Sequence, residues 1–282
     1  MRARQHLVPR PDVSTVTGIL LACGGILGGL LLEGGRLRDV AQVTAAFIVL
    51  GGTLGATLVS TPFSLVRAAG LRLRHAMFNA NPPKEMLIDE IIEYATKARK
   101  QGLVSLEKDA AKIADPFMRK ALNLAVDGAD LQELRSMMDL QIQIEEKRAM
   151  AEARVFESAG GYSPTIGIIG AVIGLIQVMK NLANIEEVGH GIAVAFVATV
   201  YGVGLANIFL LPFAGKIKSK IRQDSEQKVL VLEGVAAIVE GLNPKMIRSK
   251  LDAFLPAFEH AAVPEPDAEP EPLPAAKPAA AR

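Results

Sequence analysis

The 282 residues contain no tryptophan, and aromatic residues reach only 5%, although half of the chain is hydrophobic. A soluble core of this size draws much of its buried area from aromatic rings. Here leucine, isoleucine, valine, alanine and 25 glycines supply the apolar mass, a mixture suited to helices packed in lipid, where small residues let backbones approach. The single cysteine, Cys23, excludes an internal disulfide, a zinc cluster and a CxxC redox motif; inside an apolar segment it reads as a buried, inert thiol. A formal charge of +1 with no long basic face argues against a nucleic-acid partner. The motifs GxxxxGK[ST], HExxH and GxSxG are absent, and His6, His75, His190 and His260 are scattered. Ser105-x-x-Lys108 reads as a helix-start serine with a surface lysine, not as a nucleophile pair. Neither an enzyme nor a cofactor is called for.

What is present is four long apolar runs. A bilayer core of about 30 Å needs roughly 20 apolar helical residues. Val13 to Leu32, Val40 to Ser60, Ser158 to Met179 and Gly191 to Gly215 meet that requirement, each without an internal charge. A cleaved signal peptide is the competing reading of the first run, preceded as it is by Arg2, Arg4 and Arg10, but the run is long for an h-region and lacks an A-x-A site. Basic residues set the direction. They cluster before the first run, after the second (Arg67, Arg72, Arg74, Lys84) and after the fourth (Lys216, Lys218, Lys220, Arg222), while the two short loops around Arg36 and Glu186 are poor in them. This pattern predicts an all-α, four-span integral membrane protein with both termini and the long central segment in the cytoplasm. The expected parts are a flank over 1–12, a hairpin of spans over 13–62, a cytoplasmic helical domain over 63–157, a second hairpin over 158–215, a basic helix over 216–255 and a tail over 256–282.

The central segment is patterned as helices. Leu87, Ile88, Ile91, Ile92, Ala95 and Ala98 form one stripe at helical spacing, and Gly102 ends that helix. Pro116 suits a first helical turn. Asp130 with Glu133 has capping-box character and opens a charged helix through Leu134, Met137, Met138, Ile142 and Ile144 that is expected to run on into the third span. The tail, PEPDAEPEPLPAAKPAAAR, cannot bury a core and is expected to be disordered.

In the third span, Gly167, Gly170 and Gly174 have the small-residue spacing of close helix contact. Pro164 reads either as a first-turn proline or as a mild kink, and the Thr165 hydroxyl has a backbone carbonyl within reach. The fourth span gathers Thr199, Tyr201, Asn207 and Pro212. Polar groups at that depth face protein or water, so they mark a pathway or a packing seam. No acidic, basic or histidine side chain lies in any span. A cation held midway across a membrane usually needs a carboxylate, so if the chain conducts ions, a partner helix brings the acid.

Four stretches carry a resemblance. FIVLGGTLGATLVSTP, KARKQGLVSLEKD, YSPTIGIIGAVIGL and AVAFVATVYGVGLANIFLLP are similar, in order, to segments of the MotA/PomA flagellar stator subunits of the MotA/TolQ/ExbB superfamily, and the resemblance spans residues 13–255. It implies a homopentamer around two single-span MotB-type partners that supply the ion-binding aspartates, in lipid of the bacterial inner membrane. By motif, Thr165 and Thr199 would face the partner's aspartate, Pro164 and Pro212 would couple ion flow to conformational change, and Arg99 and Glu107 would meet the charged rotor switch protein. Without the family, Arg99 and Glu107 read as a solvated face. Ala198, where sodium-type members tend to add a hydroxyl, favours protons. The alternatives are an ExbB/TolQ-type energiser, against which the N-terminal pair of spans counts, and a non-conducting membrane scaffold.

Overall fold

The computed structural model describes residues 12–78 and 81–255. The expectation of a disordered tail over 256–282 and all but the last residue of the 1–12 flank lie outside the described residues. Eleven α-helices and no strand occur among the described residues: α1 (Val13–Leu32), α2 (Leu37–Val40), α3 (Val43–Ser60), α4 (Phe63–Phe78), α5 (Lys84–Gln101), α6 (Glu107–Ala110), α7 (Pro116–Val126), α8 (Leu131–Lys180), α9 (Ile185–Gly204), α10 (Leu211–Val239) and α11 (Pro244–Asp252). A 3₁₀ turn, Leu103–Leu106, joins α5 to α6, and a π-helical turn, Leu205–Leu210, joins α9 to α10.

Local chemistry places the ends. The Asp12 carboxylate caps α1 by accepting from the Thr15 N–H at 3.2 Å. Gly102, at φ 79°, takes a positive-φ conformation open to glycine and ends α5, its N–H donating to the Ala98 carbonyl. Asp115 caps α7 ahead of Pro116, whose missing N–H costs nothing at a first turn, and Asp130 opens α8 by accepting from the Gln132 N–H.

Helix α8 runs unbroken for 50 residues, about 75 Å at 1.5 Å per residue, more than twice a bilayer core. Its partner is the continuous run α9–π turn–α10, 55 residues from Ile185 to Val239. Four helical segments are long and apolar enough to cross a membrane: Val13–Leu32, Leu37–Ser60, and parts of Leu131–Lys180 and Ile185–Val239. Helix α9 begins at Ile185, earlier than the apolar run at Gly191, because Asn184 caps it over Glu186 and Glu187. The basic helix expected over 216–255 is instead the lower part of α10 followed by α11, the two separated at Gly241 (φ 71°) and Pro244.

Below the membrane level, α5, α7, α11, the N-terminal part of α8 and the C-terminal part of α10 enclose one core, with Ile88, Ile91, Leu106, Met118, Leu122, Leu134, Met138, Leu230, Leu232, Ile247 and Leu251 fully buried. Of the apolar residues in the first half of α8, Met137 and Ile144 are exposed; the buried stripe is Leu134, Met138, Ile142, which keeps the 4-residue step. Around this core Glu233 binds Arg135 and, at 2.6 Å, Lys250. The Arg135 guanidinium, assisted by Lys250, brings the Glu233 carboxyl from 4.5 down to about 2 against the opposing effect of burial.

A smaller cluster, Ala76, Ala149, Ala153, Ile217 and Ile221, joins α4 to α8 and α10 at the membrane boundary. Arg72 with Glu152 at 2.7 Å, Lys218 with Glu157, and Lys216 with Asp12 ring this junction. Lys220 is buried here and donates to the Asn81 side chain, which in turn donates to Asp224 at 2.6 Å. Burial lowers the Lys220 pKa, with Asp224 opposing. Cys23 is half-buried within the single chain, not sealed as its apolar surroundings suggested.

Candidate ion-pathway wall and coupling site

The contact between α8 and α9 is made by backbone. A Cβ on Gly167 would lie 2.8 Å from the Ala198 carbonyl oxygen and 3.1 Å from Gly202 Cα. On Gly174 it would lie 2.8 Å from the Gly191 carbonyl, on Gly170 2.8 Å from Ala198 Cβ, and on Gly202 2.7 Å from the Ser163 carbonyl. The Ser163 hydroxyl, fully buried, donates to the Gly202 carbonyl at 2.9 Å. The seam therefore comprises Gly160, Ser163, Gly167, Gly170 and Gly174 on one helix and Gly191, Ala195, Ala198 and Gly202 on the other. Both sets alternate steps of three and four, the spacing of a shallow helix crossing. Three of these residues, Gly167, Gly170 and Gly174, stand out in the sequence by their spacing. The same alternating step in the fourth span was the signal for the rest.

The helical turns that carry the two prolines touch through Gly160 and Leu211. Pro164 has no N–H for the Gly160 carbonyl, yet α8 stays continuous across it. On that turn the absent side chain of Gly160 makes room for Leu211, whose Cδ2 lies 2.7 Å from where a Cβ would be. Leu211 precedes Pro212, whose missing N–H likewise leaves the Ile208 carbonyl without its helical donor. The chain absorbs this by widening: Leu205–Leu210 is a π turn, and the Leu211 N–H donates to Ala206, five residues back. Turns of this kind recur at functional sites. The weakened turn of one long helix thus rests on the widened turn of the other.

The two threonines do not meet. Thr165 is exposed and donates to the Tyr162 carbonyl at 2.7 Å. It lies two residues beyond Ser163, hence about 200° around the helix, on the side of α8 turned away from α9. Thr199 is half-buried at the edge of the seam and donates to the Ala195 carbonyl at 3.3 Å. Asn207 is exposed and bonds the Val203 carbonyl, and the Tyr201 hydroxyl donates to the Val40 carbonyl, fastening α9 to the link before α3. Thr53 and Thr57 lie on the buried face of α3 and Thr61, also buried, is its C-cap; no pattern in the sequence marks them. Thr57 donates to the Thr53 carbonyl at 2.7 Å, whereas the buried Thr53 hydroxyl has no hydrogen-bond partner among the described residues. No cluster of His, Cys, Asp or Glu suited to a metal ion occurs among the described residues.

Arg99 and Glu107 share the far tip of the cytoplasmic part, at the end of α5 and the start of α6. Both are exposed. The Lys97–Asp109 pair at 2.5 Å holds the two elements together behind them.

Comparison with known proteins adds to this geometry. The MotA/TolQ/ExbB proton channel family profile matches residues 109–229, and the Motility protein A N-terminal profile matches residues 16–102. Motility protein A of Bacillus subtilis (strain 168) is 35% identical over 250 residues, covering 87% of this chain and 92% of that protein. Chemotaxis protein PomA of Vibrio alginolyticus is 32% identical over 86% of this chain and 95% of its own. A chain in the structure of the flagellar MotAB stator complex from Bacillus subtilis superimposes with a TM-score of 0.84 at 34% identity, covering 90% of this chain and 100% of that one.

Proposed function

The chain belongs to the MotA/TolQ/ExbB proton channel family, and from that premise we propose that it is the stator subunit of a flagellar motor. With a MotB-type partner it conducts protons across the inner membrane and turns the flow into torque on the rotor. The family is one of stator and ion-channel subunits, not of enzymes. The N-terminal pair of spans α1 and α3, which the Motility protein A profile covers from residue 16 onwards, favours this reading over an ExbB/TolQ-type energiser.

One observation carries the mechanism: the spans hold hydroxyls and prolines but no acid, and Thr165 points away from the chain's own seam. A pathway touching both Thr165 and Thr199 therefore runs between chains. In the assembly we infer, five copies surround two partner helices, each bringing one aspartate. An ion arriving from outside neutralises that aspartate, and the membrane potential drives the step with about 2.3 kcal/mol per charge per 100 mV. The stacked turns at Pro164 and Pro212 yield, the pentamer advances one step around the partner, and α8 carries the motion some 50 Å from Pro164 towards the tip where Arg99 and Glu107 engage the charged rotor protein. The lipid-facing surface sits in the inner membrane with the described tip in the cytoplasm.

The test is proton flux in proteoliposomes holding this chain and its partner. Thr199→Ala should lower flux at least tenfold while assembly and insertion persist. Undiminished flux would remove Thr199 from the pathway, and no flux from the unaltered pair would leave the scaffold reading standing. In motile cells, Arg99→Glu should weaken torque and be rescued in part by reversing a rotor charge.

A further inference from the structure

Thr53 is only 4% exposed, in the middle of the buried face of α3, and its hydroxyl has no hydrogen-bond partner among the described residues. A buried polar group in that condition calls for an ordered water, an ion or a source of strain. The usual remedy is available on the same helix: Thr57, one turn on, donates back to the Thr53 carbonyl at 2.7 Å. Thr53 does not do the same towards the Val49 carbonyl. The register of α3 against α8 shows what stands level with it. A Cβ on Gly170 would lie 3.3 Å from Ile48 Cγ2, and one on Gly52 would lie 2.7 Å from Ile166 Cγ2. As α3 goes forward four residues, α8 therefore goes back four. Continued further, this register sets Thr53 level with Thr165 and Thr57 level with Gly161, along the turn from Gly160 to Pro164. The π turn flanks the same place, since Leu205, its first residue, packs on the cluster of Ala45 and Val49, one turn before Thr53.

We propose that Thr53 holds one ordered water, which it shares with the Gly160 carbonyl, the acceptor that Pro164 deprives of its helical donor. Lipid offers no hydrogen bond, so carbonyls freed within a bilayer are served by hydroxyls of neighbouring helices or by ordered waters. A hydroxyl and a carbonyl at one level supply the two polar partners that a buried water needs. The side chains at that level are small, Ala56 on α3 and Gly160 and Ser163 on α8, which suits a water and nothing larger. A cation is excluded on charge, because no carboxylate lies in any span to balance it. Helix α3 thereby becomes the third member of the coupling site. Thr53 acts as a positioning residue: its water gives the Pro164 turn a hydrogen bond that breaks and re-forms as α8 flexes, while α3 stays in place. The water site stands apart from ion conduction; its part in coupling rests on the stator reading.

The test joins a structure of the chain with its MotB-type partner in lipid nanodiscs, at a resolution that shows waters, to proton flux in proteoliposomes. Density for a water is expected within hydrogen-bond distance of both Thr53 Oγ1 and the Gly160 carbonyl oxygen. It should vanish in Thr53→Val, which keeps the shape and removes the hydroxyl. That variant should assemble normally yet lower flux severalfold, and Thr53→Ser should keep both the water and the flux. Thr57→Val, which removes a hydroxyl bonded within its own helix, should change neither. A dry Thr53 in the unaltered complex, or a hydroxyl turned back to the Val49 carbonyl, would overturn the site. Full flux in Thr53→Val, or an equal loss in the serine form, would overturn the positioning role. Should the valine form fail to assemble, the density in the unaltered complex and the flux of the serine form decide. No flux from the unaltered pair would sink the stator reading alone, because the density is read independently of it.

Discussion

In the cytoplasmic half, Ile88, Ile91, Leu134 and Leu232 are sealed from solvent by side chains of their own chain, whereas no residue along the twenty of α1 is buried. The hydrophobic effect accounts for the first: apolar area removed from water stabilises by about 25 cal/mol per Å². It has no hold on the second, because lipid tails are as apolar as leucine. The membrane half is joined instead by backbone-to-backbone approach along the α8–α9 seam. Its large apolar side chains, Leu20, Phe47, Ile173 and Phe196 among them, stay on the outside. The cytoplasmic half completes itself; the membrane half is completed by lipid and by other chains.

Four changes would break or sharpen that contrast. The largest effect is expected from Leu134→Ala, which should cost about 2–5 kcal/mol in denaturant unfolding of the purified protein. A loss under 1 kcal/mol would mean that the cytoplasmic core is not self-sufficient. Next, Gly202→Ala sets a methyl 2.7 Å from the Ser163 carbonyl, and backbone cannot retreat as a flexible side chain can. A cost of about 1–3 kcal/mol should appear as earlier thermal dissociation of the complex on size-exclusion chromatography; an unchanged profile would argue that α8 and α9 are not held at backbone distance.

The third change is in pH. The Glu233 carboxyl is held at about 2 instead of 4.5, so its contribution is complete above pH 4.5 and fades as pH falls towards 2. Unfolding midpoints followed down this range should drop, by about 2 kcal/mol in all for this group. Glu233→Gln should be less stable at neutral pH and show a flatter acid limb; parallel limbs would shift the acid sensitivity to another carboxylate. The smallest effect belongs to Leu20→Ala on α1, within about 0.5 kcal/mol by the same unfolding measurement in detergent. A large loss there would reveal a protein surface against α1.

Much of this was legible in the residues. Charge-free apolar runs of bilayer length, basic flanks and helical stripes with their caps are local properties, and α5, α7 and the start of α8 follow from them directly. The seam was half legible: Gly167, Gly170 and Gly174 stand out by spacing, but their partners Gly191, Ala195, Ala198 and Gly202 sit on another helix, and no local pattern pairs two helices. The π turn was not legible, since a proline signals only that a helical bond is missing, not how the chain absorbs the loss. Met137 and Ile144 are exposed because the first half of α8 has more apolar positions than its buried face can hold.

By itself the sequence determined that the chain crosses a membrane four times, that its spans lack an acid and that α4 carries arginines without carboxylates; these are matters of composition along the chain, fixed by solvation. Tertiary structure alone decided that the Pro164 and Pro212 turns stack through Gly160 and Leu211, that Thr165 faces away from Thr199, and that the end of α4 is fastened to the start of α1 by the Asp12 N–H and the Met77 carbonyl. Those facts depend on which residues distant in sequence come within a few ångströms, and that is settled by packing between helices, not by the preferences of any one of them.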